Sequence, residues 1–522
     1  MVQTLQGLRP KMLQIQSLQN GKKIDLAGKA SEKDGQGSSS IKVVDYFEDI
    51  LLTSIKMNLD VITSYNLVSE LPIDGLQMVA LEYDTGSGTI KFGELDGNGD
   101  IIPDSGELYV YKVSGVDAQR QASRYTIHTI SLGYFKNNTT FCRKKYGGKK
   151  SGIGSTSTST PVYSASDMMS GQTTSGIGST STSNSNGSPL KISDIVEELL
   201  VKELKVSKDR ISIEPTKNSE SLYGNSKSPF YNIQLLCTKS ISEDEKVSGE
   251  DGEDGTTKGI AKGTAGFLLY ERNNPTDATS TICFRSIDGM VSSTREYAKE
   301  SDSGPKINNV EIHGTEKQPY EWRGLGAIDS NKLNANFQIL NCVVEKNTDV
   351  RKAMATGMYA NTTIYYNTLT HNVSFYDYNL QEQLEDKKLG SDPIARVPIP
   401  NVSRLMFRVS NHGVSGTGER GLDESGGANA DRTDIAKSTA RYNLLFTQSL
   451  NISIPLNVNM KVGDIIRCKF PRLSGGETKQ ADPLYSGKYL IRALRHHLEP
   501  NVNTTSLKLI RDSYGFTEKV IT

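Results

Sequence analysis

The densest set of hard oxygen donors in the chain is Asp96-Gly-Asn98-Gly-Asp100-Ile-Ile-Pro-Asp104-Ser-Gly-Glu107, with side-chain oxygens at positions 1, 3, 5, 9 and 12 of a twelve-residue loop. Calcium needs that density of oxygens, and the spacing is close to that of an EF-hand loop. Three features oppose it: Ile101 stands where the sharp turn needs glycine, Pro103 stiffens the loop, and the flanks read as strands. A polar Asp/Gly hairpin loop explains the same residues without an ion, and no metal ligand is assigned. His496 and His497 are adjacent, so on a strand they point to opposite faces and cannot share a metal or a proton. The acidic run from Glu243 to Asp254 lacks aromatic residues and reads as a solvated loop. No GxSxG elbow, HExxH, P-loop or dinucleotide fingerprint occurs, and SGIGS at Ser151 lacks the lysine and helix of a phosphate cradle. Carboxylate pairs are too frequent to nominate a glycosidase dyad. The chain is therefore expected to be no enzyme, with no catalytic, cofactor-binding or metal-ligating residue.

Composition narrows the classes further. Lys plus Arg equals Asp plus Glu, 60 against 60, so the basic field needed for nucleic-acid affinity is missing and no specific nucleic-acid binding is expected. No apolar run approaches the ~20 residues of a membrane-spanning helix, and the first twenty residues lack the apolar stretch of a secretory signal. The five cysteines, Cys142, Cys237, Cys283, Cys342 and Cys468, are scattered and odd in number. They predict small buried side chains, not a disulfide framework or a zinc knuckle.

At 522 residues, of which 35% are hydrophobic, the chain needs several cores separated by loops. Three stretches are too polar to pack. Residues 147–188 repeat SGIGSTST at Ser151 and Ser175 and read as a Gly/Ser/Thr-rich flexible linker. Residues 242–263 form an acidic loop, and 411–439 a Gly-, Asp- and Ser-rich one. Between them lie three structured blocks.

In the first, 1–146, Ile55, Met57, Leu59 and Val61 alternate with Lys56, Asn58 and Asp60. That pattern predicts a half-buried strand, with further strands at Gln77, Glu107 and Arg124. The second block, 189–305, changes period: Ile195, Val196, Leu199, Leu200 and Leu204 predict an amphipathic helix capped by Ser193, a second helix starts at Pro229, and two strands follow from Ala265 and Thr281. This is an inserted α/β domain of the α+β kind. The third block, 306–522, returns to strands, among them TIYYN at Thr363 and VSFYDYN at Val373, with a helical insert between Leu333 and Met358. The expected fold is mainly β with an α+β insertion.

Several phrases, taken in order, resemble the baseplate hub proteins of contractile-tailed phages. They are VVDYFEDILLTSIKMNLDVITSYNLVSELPIDG from Val43, LYVYKVSG from Leu108, AGFLLYE with FRSIDGM, GMYANTTIYYN from Gly357, and KVGDIIRCKFP followed by SGKYLIRALRHHLEP and TSLKLIRDSYG. The resemblance extends more distantly to the hub portion of VgrG spikes. It implies two tube-type β-barrel domains per chain and a homotrimer forming a ring of six barrels. Such a trimer would be a symmetry adapter between the sixfold tail tube and a separate trimeric, cell-puncturing spike, lining the channel for genome delivery. It further implies a tail tube or tube-initiator protein, baseplate wedge proteins and the tape measure protein as partners. The location would be the virion tail baseplate, after assembly in the host bacterial cytoplasm. The hub of a type VI or other contractile injection system is the alternative within this class, and a tail-associated cell-wall hydrolase the alternative outside it. The hairpin from Tyr365 to Tyr378 and the segment Val462–Phe470 are expected to supply part of the chain–chain interface.

Overall fold

A computed structural model describes residues 10–18, 21–27, 39–63, 76–85, 88–118, 123–146, 190–220, 222–243, 265–273, 280–291, 311–315, 318–322, 335–346, 349–367, 371, 373–380, 389, 403–410, 434–472, 481–499 and 502–513. The expected linker 147–188, most of the acidic loop 242–263 and residues 411–433 of the third loop lie outside them.

The fold is mainly β. Among the described residues sixteen strands form one sheet, divided evenly between two parts of the chain. Eight come from the first block, from Met12–Gln16 to Ser123–Ser131, and eight from the third, from Ile312–His313 to Asn503–Arg511. The alternation around Ile55 produces the expected strand, Lys56–Thr63, whose Met57, Leu59 and Val61 are buried while the residues between them are partly exposed.

The two blocks meet on one long strand, Gly487–Leu498. One of its edges is shared: Ile465–Lys469 pairs with its first part, Gly487 to Leu490, and Ser39–Asp49 with its second, Ala493 to Leu498. The other edge carries Asn503–Arg511 throughout, with a register shift between Ile491 and Ala493. A bulge increases local twist and bends a strand, and here it falls where the neighbour changes. The Arg492 carbonyl in the gap accepts from Ile50 N at 2.9 Å, which closes the seam. One apolar core, including Leu59, Ile127, Leu450 and Leu509, runs under both blocks and takes in Tyr270, Ile287 and Met290 of the insert.

The insert has its own core and a three-stranded sheet of Ile211–Ile213, Ser280–Ser286 and Phe267–Asn273. Its first helix, Ile192–Glu198, continues as a π-helical turn, Leu199–Glu203, and buries every residue expected to face inward. Ser193 is not the cap. Lys191 precedes the helix, and Ser193 is buried within it, its backbone N–H donating to Thr216 Oγ1 at 2.9 Å. The second helix, Pro229–Cys237, starts at its proline as predicted, because Pro fixes φ and lacks only an N–H that the first turn leaves unpaired. Cys142 and Tyr146, at the end of the first block, also pack into the insert's core. Four of the five cysteines are buried and all five are free.

Two expectations in the third block are corrected. Between Leu333 and Met358 the only α-helix among the described residues is Val350–Ala355; Gln338–Ile339 and Asn341–Lys346 are strands. Pairing of Cys342 with Ile452 and of Val344 with Leu450 in the main sheet overrides the local pattern. The loop 411–439 also ends early, since Asp434–Leu445 is a helix. Its buried face mixes Ala436, Ala440, Leu444 and Leu445 with Ser438 and Arg441, an apolar stripe too weak to stand out in a polar sequence. This helix backs a separate three-stranded sheet of Val373–Asn379, Ala360–Asn367 and Leu405–Ser410.

Candidate functional site at the junction of the three parts

Sequence reasoning nominated no site residue, and it missed the most unusual polar groups in the fold. Glu48 lies on Ser39–Asp49 beside the seam and is 3% exposed. Its carboxylate accepts from the Tyr46 hydroxyl, from Asn273 N of the insert at 2.7 Å, and from Val462 N of the third block at 3.0 Å. One side chain thus ties together all three parts of the chain. Burial pushes its ionisation up from 4.5 to about 7, although these donors and the nearby Arg272 pull it down. Desolvation outweighs the hydrogen bonds because, among the described residues, no cation forms a direct ion pair with the group.

The insert strand Phe267–Asn273 supplies the rest of the junction. Glu271 Oε2 accepts from Ser131 Oγ at 2.5 Å and Ile55 N at 3.2 Å in the first block, while Oε1 accepts from Ser280 Oγ. Arg272 reaches the other way, its Nη1 standing 3.4 Å from Asp464 Oδ1 of the third block. Asp464 also accepts from Glu311 N at 3.3 Å and pairs with His313 Nε2 at 2.9 Å. Glu311, His313 and Asp464 offer ligand atoms within 4.8 Å of one another and so could hold a metal ion. The Arg272 guanidinium already supplies positive charge to the same buried carboxylate, which opposes a second cation there.

A second buried network locks the helix Asp434–Leu445 to the insert and to Asp512, just after the strand Asn503–Arg511. Arg441 pairs with Asp288 at 2.7 Å through Nη2 and with Asp512 at 2.9 Å through Nη1. Gly266, at φ +93°, leaves room for the arginine stem: a Cβ there would stand 3.1 Å from Arg441 Cγ. Both networks join distant parts of the chain through buried polar contacts. Each charge sits where its partner comes from a distant part of the chain, so only a three-dimensional arrangement reveals it.

The residues singled out in the sequence fall elsewhere. In the loop Asp96–Glu107, Asp96 Oδ1 accepts from Asn98 N and Asp100 N, both at 2.8 Å, and these bonds hold its carboxyl below the usual range. Lys23 Nζ donates to Asn98 O at 2.8 Å and Asp100 Oδ1 at 3.1 Å, placing an ammonium among the oxygens that calcium would need. Ile101 is buried against Met78, Ala80 and Tyr109, which explains why the turn carries an apolar residue at that position. Glu107 Oε1 accepts from Asp104 N and the Tyr109 hydroxyl.

The adjacent histidines separate as expected. His496 is buried, hydrogen-bonded to Thr505 Oγ1 at 2.9 Å and stacked on Tyr46, and burial pulls it down to about 4. His497 faces outward and pairs with Asp45 at 2.7 Å. Of the acidic run, Glu243 pairs with Lys191 at 2.6 Å, and the rest lies outside the described residues.

The two interface expectations part company. Val462, Ile465, Ile466 and Cys468 are buried within the chain, so Val462–Phe470 has no apolar side left for another molecule. Its strand lies inside the main sheet, between Gly487–Leu498 and the short parallel strands Ile312–His313 and Tyr320–Trp322. The Tyr365–Tyr378 hairpin, by contrast, leaves Val373 and Phe375 exposed.

No protein-family model matches the chain, and no curated protein matches it in sequence. Solved structures similar to it include a tail protein from Neisseria meningitidis, 9% identical with a TM-score of 0.43 over 96% of each chain. A 43 kDa tail protein of prophage MuSo2 from Shewanella oneidensis is 8% identical, with a TM-score of 0.43 over 96% of this chain and 98% of that one. An Escherichia coli component of the type VI secretion system, itself described as similar to T4 bacteriophage tail proteins, is 8% identical, with a TM-score of 0.39 over 94% of this chain and 79% of that one.

Proposed function

We propose that the chain is the structural hub of a contractile tail, a trimeric adapter between the sixfold tube and a separate threefold spike. One observation carries this reading: the two strand blocks contribute eight strands each to a single sheet. Two comparable strand sets in one chain would offer two quasi-equivalent surfaces, so three copies would present six. Such a ring can meet a sixfold tube on one side and keep true threefold symmetry on the other. The junction at Glu48, with its crossed ties to the insert and the third block, supports a role in carrying force, since a hub must not hinge between its halves. In this reading the tail tube, wedge and tape measure proteins meet the ring, and the insert lies outside it.

The test is mass spectrometry and cryo-electron microscopy of purified tails. Three copies per particle at the tube–spike boundary are expected. Absence of the chain from purified particles would overturn the reading, and lysis of peptidoglycan by the purified chain in zymograms would favour the hydrolase instead.

A further inference from the structure

The small sheet of the third block has two unlike faces. On one, Asn361, Thr363 and Tyr365 are buried, and Tyr378 packs with Ala436, Ala440 and Leu444 of the helix Asp434–Leu445. On the other, the register sets Phe375, Ile364 and Phe407 in one row across the three strands, and Val373, Tyr366 and Val409 in the next. Leu405 extends the face beside Thr362. Among the described residues, Leu405 (70%), Phe375, Phe407 and Val409 (63% each) are the four most exposed large apolar side chains, and all four lie on this face. Its two outer strands, Val373–Asn379 and Leu405–Ser410, pair only with the central one among the described residues.

We propose that this face is a contact between copies of the chain, packing against a second copy in the assembled ring. The inference rests on the hub reading and names the surface that reading requires. These four side chains and Val373 present roughly 500–600 Å² of apolar area, at the upper end of the largest patch a soluble monomer usually leaves open, where such patches are often functional. That is most of the ~800 Å² each partner contributes to a stable interface. The two central rows carry no charge and the exposed Asp377 lies at the rim, in the row of Leu405 and Thr362, an apolar centre with a polar edge that suits a permanent contact between like chains. Among the described residues a helix backs this sheet on one side only, and none supplies the second layer that normally covers the other face. The other expected contact, Val462–Phe470, is consumed inside the chain, whereas this sheet keeps the four most exposed large apolar side chains among the described residues on one face.

The experiment is light scattering coupled to size exclusion on the full chain, over a range of concentrations. It compares wild type, the double variant Phe375→Ser/Phe407→Ser, and a control pair, Phe141→Ser/Tyr231→Ser, exposed on the insert side. Wild type and control are expected to run as a multimer, and the double variant as one chain of 57.2 kDa with an unchanged thermal midpoint. A multimer that persists in the double variant overturns the assignment of this face while leaving the hub reading intact. A wild type that stays monomeric throughout, its face kept for another protein, overturns the inference as well. Absence from purified particles is the separate result that would remove the hub reading itself. Should the double variant melt early, hydrogen exchange of wild type decides: amides of Leu405–Ser410 that gain protection with concentration support the contact, and amides that do not refute it.

Discussion

Replacing Glu48 by glutamine should change how stability depends on pH more than it changes stability itself. The native carboxyl ionises at about 7 and the unfolded one near 4.5. Between those values the folded chain holds a proton that the unfolded chain has released, so this group favours folding at low pH and the advantage is lost as pH rises through the window. The loss across it is about 3 kcal/mol, which for a chain of this length corresponds to a thermal midpoint lower by about 3 °C. The glutamine side chain does not titrate. It keeps an acceptor for one of the two backbone N–H groups but turns an amide donor toward the other, a mismatch worth about 1–3 kcal/mol. Wild type should therefore lead Glu48→Gln by a few degrees near pH 4.5, and the two should converge or cross near pH 7.5. The assay is the thermal midpoint of both proteins by calorimetry at half-unit pH steps. A difference that stays constant from pH 4.5 to 7.5 would refute the claim that burial governs this carboxyl.

His496 works in the opposite sense. Its folded value is pulled from 6.5 to about 4, so wild type loses stability as pH falls between those values. His496→Gln should flatten that acid limb in the same calorimetric series, and an unchanged limb would show that another group causes it. Arg441→Met strands Asp288 and Asp512 as buried unpaired carboxylates and should cost about 3–5 kcal/mol. Denaturant titration measures it, and a loss below about 1 kcal/mol would mean that water reaches the pair. At the loop Asp96–Glu107, excess calcium and then excess chelator should leave the melting temperature where it was, because Lys23 occupies the oxygens. A calcium-dependent rise would show that the ion displaces the lysine.

Much of the local structure was legible in the sequence because it depends on neighbours along the chain. The alternation from Ile55 to Val61 specified a half-buried strand, Pro229 marked a helix start, and the spacing from Ile195 to Leu204 specified a buried helical face. Hydrophobic period is a property of consecutive residues, and burial follows it wherever one face is solvated. The errors share a cause. Ser193 has the right side chain for a cap but lies on the inward face of its helix, and Gln338–Ile339 and Asn341–Lys346 become strands because Tyr320–Trp322 and Gln448–Pro455 are there to pair with them.

The junction could not be read in advance for a related reason. Glu48 is one acidic residue among many in sequence, and its three donors come from positions 46, 273 and 462. Whether a carboxyl is solvated or buried, and whether an apolar strand is spent on the core, as at Val462–Phe470, or left bare, as at Phe375 and Phe407, depends on what the rest of the chain brings against it. The sequence by itself determined the mainly β character, the helices of the insert and the polar stretches between blocks. The tertiary structure alone decided the shared sheet, the buried charges that lock it and the apolar face left over, because desolvation and long-range pairing act between residues hundreds of positions apart.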